Sequence, residues 1–397
     1  MKRLTWILTV SLAVVGGAML EPAQAQESAQ VQDSAAVAND PSQMLPSEIE
    51  ARFKAIRFDP DPEQLVRDAH YWVSNENAHY VWYNEIKDRG GVLSGVGTDQ
   101  VYLLAGWANS SIVLPMDFDR QIRNLHIAYG AAFMAASNID EFRSYWKRDN
   151  ADKMKAALEK YFPSEVDAAM KAWKSGCREV NGRFTRVIKK YSKNSETSAA
   201  AGIPTFLTDE TQYNRIRQLW LNHRVIPICG DLTGNKSMID IAKALRDSGL
   251  KLTILYPSNA EHYFEYGPEY RRNIINLPFA DNSLVLRTRQ MRSLGLAEEG
   301  DYHYNMQSGE NFIIWLKTTQ IPNQHKMLRR RAKTKTDGLS VMERVPDPSK
   351  KPPEIAPMPY IGRCIDFTSV KSLISYIDEA NRVFLLGLPR FDHSKVG

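Results

Sequence analysis

The sequence predicts an α/β fold, a mostly parallel sheet of seven strands wrapped by helices and interrupted by a long helical insertion. Three stretches predict it. Residues 90–119 read as strand, glycine turn, helix, strand and acid. Residues 224–316 supply further strands separated by helices and close on an antiparallel pair. Between them, residues 120–223 are almost continuously helical in pattern, where a doubly wound sheet usually has a short crossover.

The first stretch is the most informative. The apolar pair Val92–Leu93 enters the turn Gly95-Val96-Gly97, and a helix-compatible run follows to about Asn109. Glycines let the backbone turn tightly and approach a ligand without a Cβ clash. The start of the following helix carries unpaired N–H groups and a partial positive charge. A second apolar run, 111–116, ends on Asp117 and Asp119, about 20 residues past the glycines, where an acid can accept hydrogen bonds from ribose hydroxyls. The third glycine of G-x-G-x-x-G is replaced by Gln100, and Asp99 stands inside the turn. A carboxylate there repels a pyrophosphate and tolerates a ligand with an amino group. A lone G-x-G also serves as a plain structural turn.

The remaining elements follow in order. Residues 46–88 show helical spacing, with Ile49, Phe53 and Ile56, then Leu65, Ala69 and Trp72, punctuated by Asn75-Glu76-Asn77. Ile122, Leu125, Tyr129 and Phe133 form one helical stripe, Ser137–Asn138 offers a cap for the next helix, and the block breaks around 192–204. Residues 224–230 read as a strand ending on Asp231, 237–248 as a helix closed by Gly249, and 250–256 as a strand ending on Pro257-Ser258-Asn259. A helix over 260–273, a strand over 283–288 and a hairpin of 302–306 with 312–316 complete the core.

The two ends differ from this core. Lys2-Arg3, an apolar run over 4–20 and Ala23-Gln24-Ala25 have the layout of a secretory signal peptide cut after Ala25, which places the mature chain in the periplasm or outside the cell. Removing residues 1–25 lowers the formal charge only from +5 to +4, so nothing points to nucleic acid. Residues 26–45 read as a disordered leader, and 46–320 as the folded domain with its insertion at about 120–223. Residues 321–360 read as a basic, proline-rich linker and 361–397 as a C-terminal extension. Arg329, Arg330 and Arg331 form a solvated face able to touch an anionic surface. Three cysteines, Cys177, Cys229 and Cys364, leave the fold to its core rather than to disulfides. No HExxH, paired CxxC or EF-hand loop is present, so no metal is expected, and no G-x-S-x-G elbow occurs.

The motifs Gly95-Val96-Gly97-Thr98-Asp99-Gln100, His126 with Tyr129, Gly230-Asp231, Ser258-Asn259-Ala260-Glu261-His262-Tyr263, and Leu277-Pro278 with Ser283, Arg287 and Thr288 span about residues 65–316. Together they are similar to an uncharacterised bacterial family, and the strand order resembles that of class I methyltransferases dependent on S-adenosylmethionine (SAM), which are Rossmann-like. The resemblance implies that Gly95, Gly97 and Asp99 face the amino-acid part of SAM and that Asp117 or Asp119 holds the ribose. It also implies that Asp231 approaches the adenine, with Ser258 and Asn259 bordering the ligand. Glu261, His262 and Tyr263 would then be the catalytic or substrate-contacting candidates.

Each of these residues also has a structural use. Asp231 and Ser258-Asn259 are helix-cap types, and Asp117 and Asp119 can simply solvate a strand end. Three polar strand ends on one sheet edge nevertheless favour a small-molecule site. Three readings stay open: a SAM-dependent transferase, a ligand-binding protein on a degenerate methyltransferase scaffold, and an exported hydrolase with an Asp or Glu base.

Overall fold

The computed structural model describes residues 36–195, 198–297 and 302–359. The signal peptide expected over 1–25, the first part of the leader, Cys364 and the C-terminal extension lie outside the described residues.

The apolar runs form the centre of the sheet. Strands β1 (Val92–Val96), β2 (Ile112–Asp117) and β4 (Leu252–Ser258) are buried almost throughout, as strands covered on both faces must be. Among the described residues the sheet has eight strands in the order β3 (Ile228–Cys229), β2, β1, β4, β5 (Phe279–Arg289), β6 (His303–Ser308), β8 (Leu339–Met342) and β7 (Ala332–Lys333). The first five run parallel, which is the doubly wound order with its reversal between β1 and β4. Strand β5 (Phe279–Arg289) pairs antiparallel with β6 (His303–Ser308). Alternate residues feed two cores. Leu93, Val113 and Ile254 point to one face, and Val92, Ile112 and Leu252 to the other.

The structure corrects several expectations. The strand expected over 224–230 narrows to β3 (Ile228–Cys229) and a bridge at Val225, because Pro227 between them has no N–H to donate. The second limb of the expected hairpin, 312–316, lies in a helix, Gly309–Thr318, whose N-terminus Ser308 caps through Asn311 N. The sheet gains β7 (Ala332–Lys333) and β8 (Leu339–Met342) from the region expected to be linker, and this gives eight strands rather than seven. Within that region Arg331 folds back onto the Leu294 carbonyl, while Arg329 and Arg330 stay exposed. The helix expected over 260–273 becomes a 3-10 turn and a helix, Pro268–Ile275, with proline in its first turn.

Among the described residues before the sheet, α1 (Ser47–Lys54) is the longest helix. Residues 57–78, expected to be helical, form an irregular strap instead. Pro60 and Pro62 break the pattern, and Arg67 and Asp68 adopt positive φ. The described end of the expected leader is held in place. Arg224 donates to the carbonyls of Val37, Ala38 and Gln43, and Ala38 and Leu45 are buried.

The insertion between β2 and β3 comprises helices Arg120–Ala135, Ile139–Ser144, Ala151–Tyr161, Val166–Tyr191 and Glu210–Leu221. They enclose an aromatic cluster that includes Tyr129, Phe133, Phe142, Trp146 and Phe184. Gly130 lets the Trp220 ring lie directly on its helix, since a Cβ there would come within 2.6 Å of the ring. No described helix is long and apolar enough to cross a membrane.

Candidate functional site

Five parallel strands end on one edge, and the strap at 57–78 passes over it. The result is a cleft in two compartments of about 90 and about 240 Å³. Gly97, Thr98 and Gln100 line the first, with Asp117, Asp119, Ser258 and Asn259 on its walls and Leu65, Tyr71, Ser74 and Asn75 of the strap above. Asp231 and Thr233 line the second. Val66, Val96, Phe118, Ala260 and Tyr263 border both. Gly95 lies inside β1, packed against Tyr256 and Val101, and only its neighbours Val96 and Gly97 reach the cleft.

The glycine turn is satisfied from within. Gly97 has φ +102°, and a Cβ there would come within 2.1 Å of the Gln100 amide nitrogen. The Gln100 side chain accepts from Thr98 N at 3.0 Å and donates to the Val96 carbonyl at 3.4 Å. His126 donates from Nε2 to the Gly97 carbonyl at 2.7 Å, and its Nδ1 meets the Tyr102 hydroxyl. Burial pushes this imidazole down to about 4, so it stays neutral and braces the turn. Asp99 does not face the cleft. It is fully buried, accepts from Arg183 Nε at 2.9 Å and takes the Ser74 N–H at 3.2 Å. Burial works to raise its carboxyl, but the Arg183 charge and hydrogen bond prevail and hold it below the usual value.

Asp117 and Asp119 border the cleft side by side. Asp117 Oδ1 accepts from Asp119 N at 3.0 Å. Burial, with the Asp119 charge adding to it, pushes the Asp117 carboxyl up to about 7. Asp119 caps the helix Arg120–Ala135 through Gln121 N and meets His70 Nδ1 at 2.6 Å. Asp231 caps its own turn through Thr233 N and hydroxyl. The next helix, Ser237–Asp247, is instead served by Asp59 of the strap, which accepts from Asp231 N, Lys236 N and Ser237 N. Asp59→Ala is expected to lower stability by about 1–2 kcal/mol, the worth of a good N-cap, as read from the urea midpoint.

The end of β4 carries the densest polar network. Ser258 and Asn259 border the first compartment, and Ser258 donates at 2.6 Å to the carboxylate of Glu76, which is fully buried. Glu76 also receives Tyr256, Thr288 and His79 Nε2, the last at 3.0 Å. Burial opposes its charge, yet the bonds to His79, Ser258 and Thr288 together hold its carboxyl below the usual value. The three expected catalytic candidates part company. Glu261 turns inward to Arg287, Tyr266 and Tyr270 and does not line the cleft. His262 is largely buried, pushed down to about 4 by burial and by Arg289, and lines neither compartment. Tyr263 alone stands at the cleft, half-exposed opposite Tyr71.

A model of a family described as a domain of unknown function, DUF7790, matches residues 71–343. The chain belongs to this family. No curated protein matches it. The DUF7790 segment begins within the strap at Tyr71 and ends just beyond β8, so it holds Glu76, Asp117, Asp231 and Ser258 but not Asp59.

Glu76, His79 and Arg183 of the DUF7790 segment, and Asp59 and His70 just before it, carry no local sequence signal. Glu76 sits in a polar triplet that reads as punctuation, and its partners are 180 or more residues away for Tyr256, Ser258 and Thr288. Arg183 lies on a long amphipathic helix whose charges all read as solvated. Cys177 and Cys229 are buried and unbridged. Among the described residues no cluster of His, Cys, Asp or Glu could hold a metal ion.

Proposed function

We propose that this DUF7790 protein binds a small hydroxyl-rich molecule, a nucleoside in the first instance, on a methyltransferase-like scaffold. The observation that carries this reading is Asp117, a buried carboxylate at the end of β2 that faces an open cleft. A carboxylate in that place accepts two vicinal hydroxyl protons, each charge-assisted bond worth about 1.5–3 kcal/mol. The strand order β3-β2-β1-β4-β5 supports the scaffold.

SAM is the member of this ligand class that the sequence resemblance implies. Its amino-acid part would need the glycine turn, yet Gln100 already occupies that turn and Asp99 already serves Arg183. The compartments, at about 90 and about 240 Å³, are each below the roughly 300–1,000 Å³ of ordinary ligand pockets. A nucleoside therefore has to span both, past Tyr263. An export signal would also carry the cleft away from cytoplasmic SAM. These features favour a binding protein over a SAM-dependent transferase.

Calorimetry with adenosine, S-adenosylhomocysteine and NAD tests this. Adenosine is expected to give heat, Asp117→Asn to weaken it at least about tenfold, and S-adenosylhomocysteine to bind no tighter than adenosine. NAD is expected to bind weakest. Silence with every nucleoside up to millimolar concentration sinks the reading. A large preference for S-adenosylhomocysteine restores the transferase.

A further inference from the structure

Ser258 combines three features that the nucleoside reading does not use. It has φ +56°, a left-handed conformation that a side chain strains and a glycine would take freely. It stands at the sharp passage from a parallel strand, β4, to the 3-10 turn Ala260–His262, with its residue bordering the first compartment. Its hydroxyl donates at 2.6 Å to a carboxylate that has three other donors, so Glu76 does not depend on Ser258 to be satisfied. A strained serine at a strand end, presented to a cavity and bonded to a base, is the arrangement of an activated nucleophile.

We propose that Ser258 is the nucleophile and Glu76 the general base of a serine esterase centre acting on small carboxylic esters. In the first step Ser258 Oγ bonds to the ester carbonyl carbon while its proton passes to Glu76 Oε1. The carbonyl oxygen becomes an oxyanion, and the amide of Asn259, the next residue in the same cavity wall, donates to it. Collapse breaks the ester C–O bond, and the alcohol leaves with the proton from Glu76. Water then gives a proton to Glu76 and its oxygen attacks the acyl carbon. The Ser258 C–O bond breaks, and the proton returns to Oγ as the carboxylic acid departs. Ester and water become acid and alcohol, with no other reactant.

The surroundings set the substrate class. Ile122, Val73, Ala69 and Leu65 give this compartment apolar walls that suit a short acyl chain. Tyr256 and His79 hold the Glu76 oxygen that does not face Ser258 and so position the base. Asn259 Nδ2 rests on the Tyr302 hydroxyl at 3.1 Å, a neutral partner that an oxyanion can displace.

The test uses the full chain and a fluorophosphonate, which forms a covalent adduct with an activated serine and releases fluoride. One label per chain, mapped to Ser258 by peptide mass analysis, is expected. Absence of label, or label on another residue, overturns the proposal without any variant being made. With p-nitrophenyl acetate a burst of one p-nitrophenol per chain is expected. Ser258→Ala should abolish it and Asn259→Ala should slow it about 10²-fold. Ser258→Cys keeps a nucleophile at the same place and should keep a burst, slower than the native one. If neither Ser258 variant gives a burst and both lower the urea midpoint, Ser258 is only one of the struts under Glu76. The centre does not depend on nucleoside binding: labelling without adenosine heat removes the nucleoside reading alone, and heat without labelling removes this one alone.

Discussion

Arg183→Ala is expected to destabilise the protein by about 3–5 kcal/mol at neutral pH, because it strands a buried carboxylate. Arg183 Nε lies 2.9 Å from Asp99, and both side chains are almost wholly out of solvent. The same guanidinium reaches Asn77 Oδ1 and the Glu76 carbonyl, so it joins the insertion helix Val166–Tyr191 to the glycine turn and to the loop that carries Glu76. The pH dependence identifies the cause. In the native chain the Asp99 carboxyl is held below 3.8. The stability it contributes is therefore present above the unfolded value and is lost only as acid protonates it in the folded state. Without Arg183, burial, the largest influence on Asp99, is opposed only by the Ser74 N–H and His79 and should raise its carboxyl. The variant should then gain stability as pH falls through that raised value, the reverse of the native slope. Pairing Arg183→Met with Asp99→Asn should recover most of the loss, since both charges are then gone. Urea midpoints from pH 4 to 8 report all of this. A flat profile, or no recovery in the double variant, would show that Arg183 acts by packing.

What the sequence makes legible is what neighbours in sequence decide. The buried runs of β1, β2 and β4 read as strands, and each leads into residues that line the cleft, Val96-Gly97, Asp117 and Ser258-Asn259. Local competition explains the failures. The run 312–316 is too short for periodicity to separate helix from strand, and the Ser308 cap with the spacing of Phe312, Trp315 and Leu316 decides for helix. Strand β8 is a mostly apolar run of only four residues, Leu339–Met342, and the polar and basic residues on either side hide it until it pairs with β6. The site divides in the same way. Asp117, Ser258 and Asn259 are visible because strand ends define the edge. Asp99 is visible as an acid, but its partner comes from a helix 84 residues on, and no local pattern shows that the charge is already neutralised. Glu261 looks available in sequence for the same reason, and Arg287 has claimed it.

Asp117→Asn tests whether the cleft is a working site. Burial pushes the Asp117 carboxyl up to about 7, against 3.8 in the unfolded chain, so keeping it charged costs the folded protein stability. Between those values the folded state binds the proton that the unfolded state has lost, so stability falls as pH rises and is lowest above about 7. The full cost there is up to ~4 kcal/mol. Asparagine keeps the oxygen that accepts from Asp119 N and removes the charge. The variant should therefore be more stable than the native chain at pH 8, by an amount that shrinks steadily towards pH 4, where both side chains are neutral. The same substitution should weaken adenosine binding at least about tenfold. A residue that destabilises the fold and is required for the ligand is one kept for function, because structure alone would favour its removal. If denaturation at pH 8 shows the variant weaker than the native chain, Asp117 is a structural support for the strand end and its neighbour Asp119. The cleft would then have no carboxylate to offer a ribose, and the nucleoside reading would fall with it.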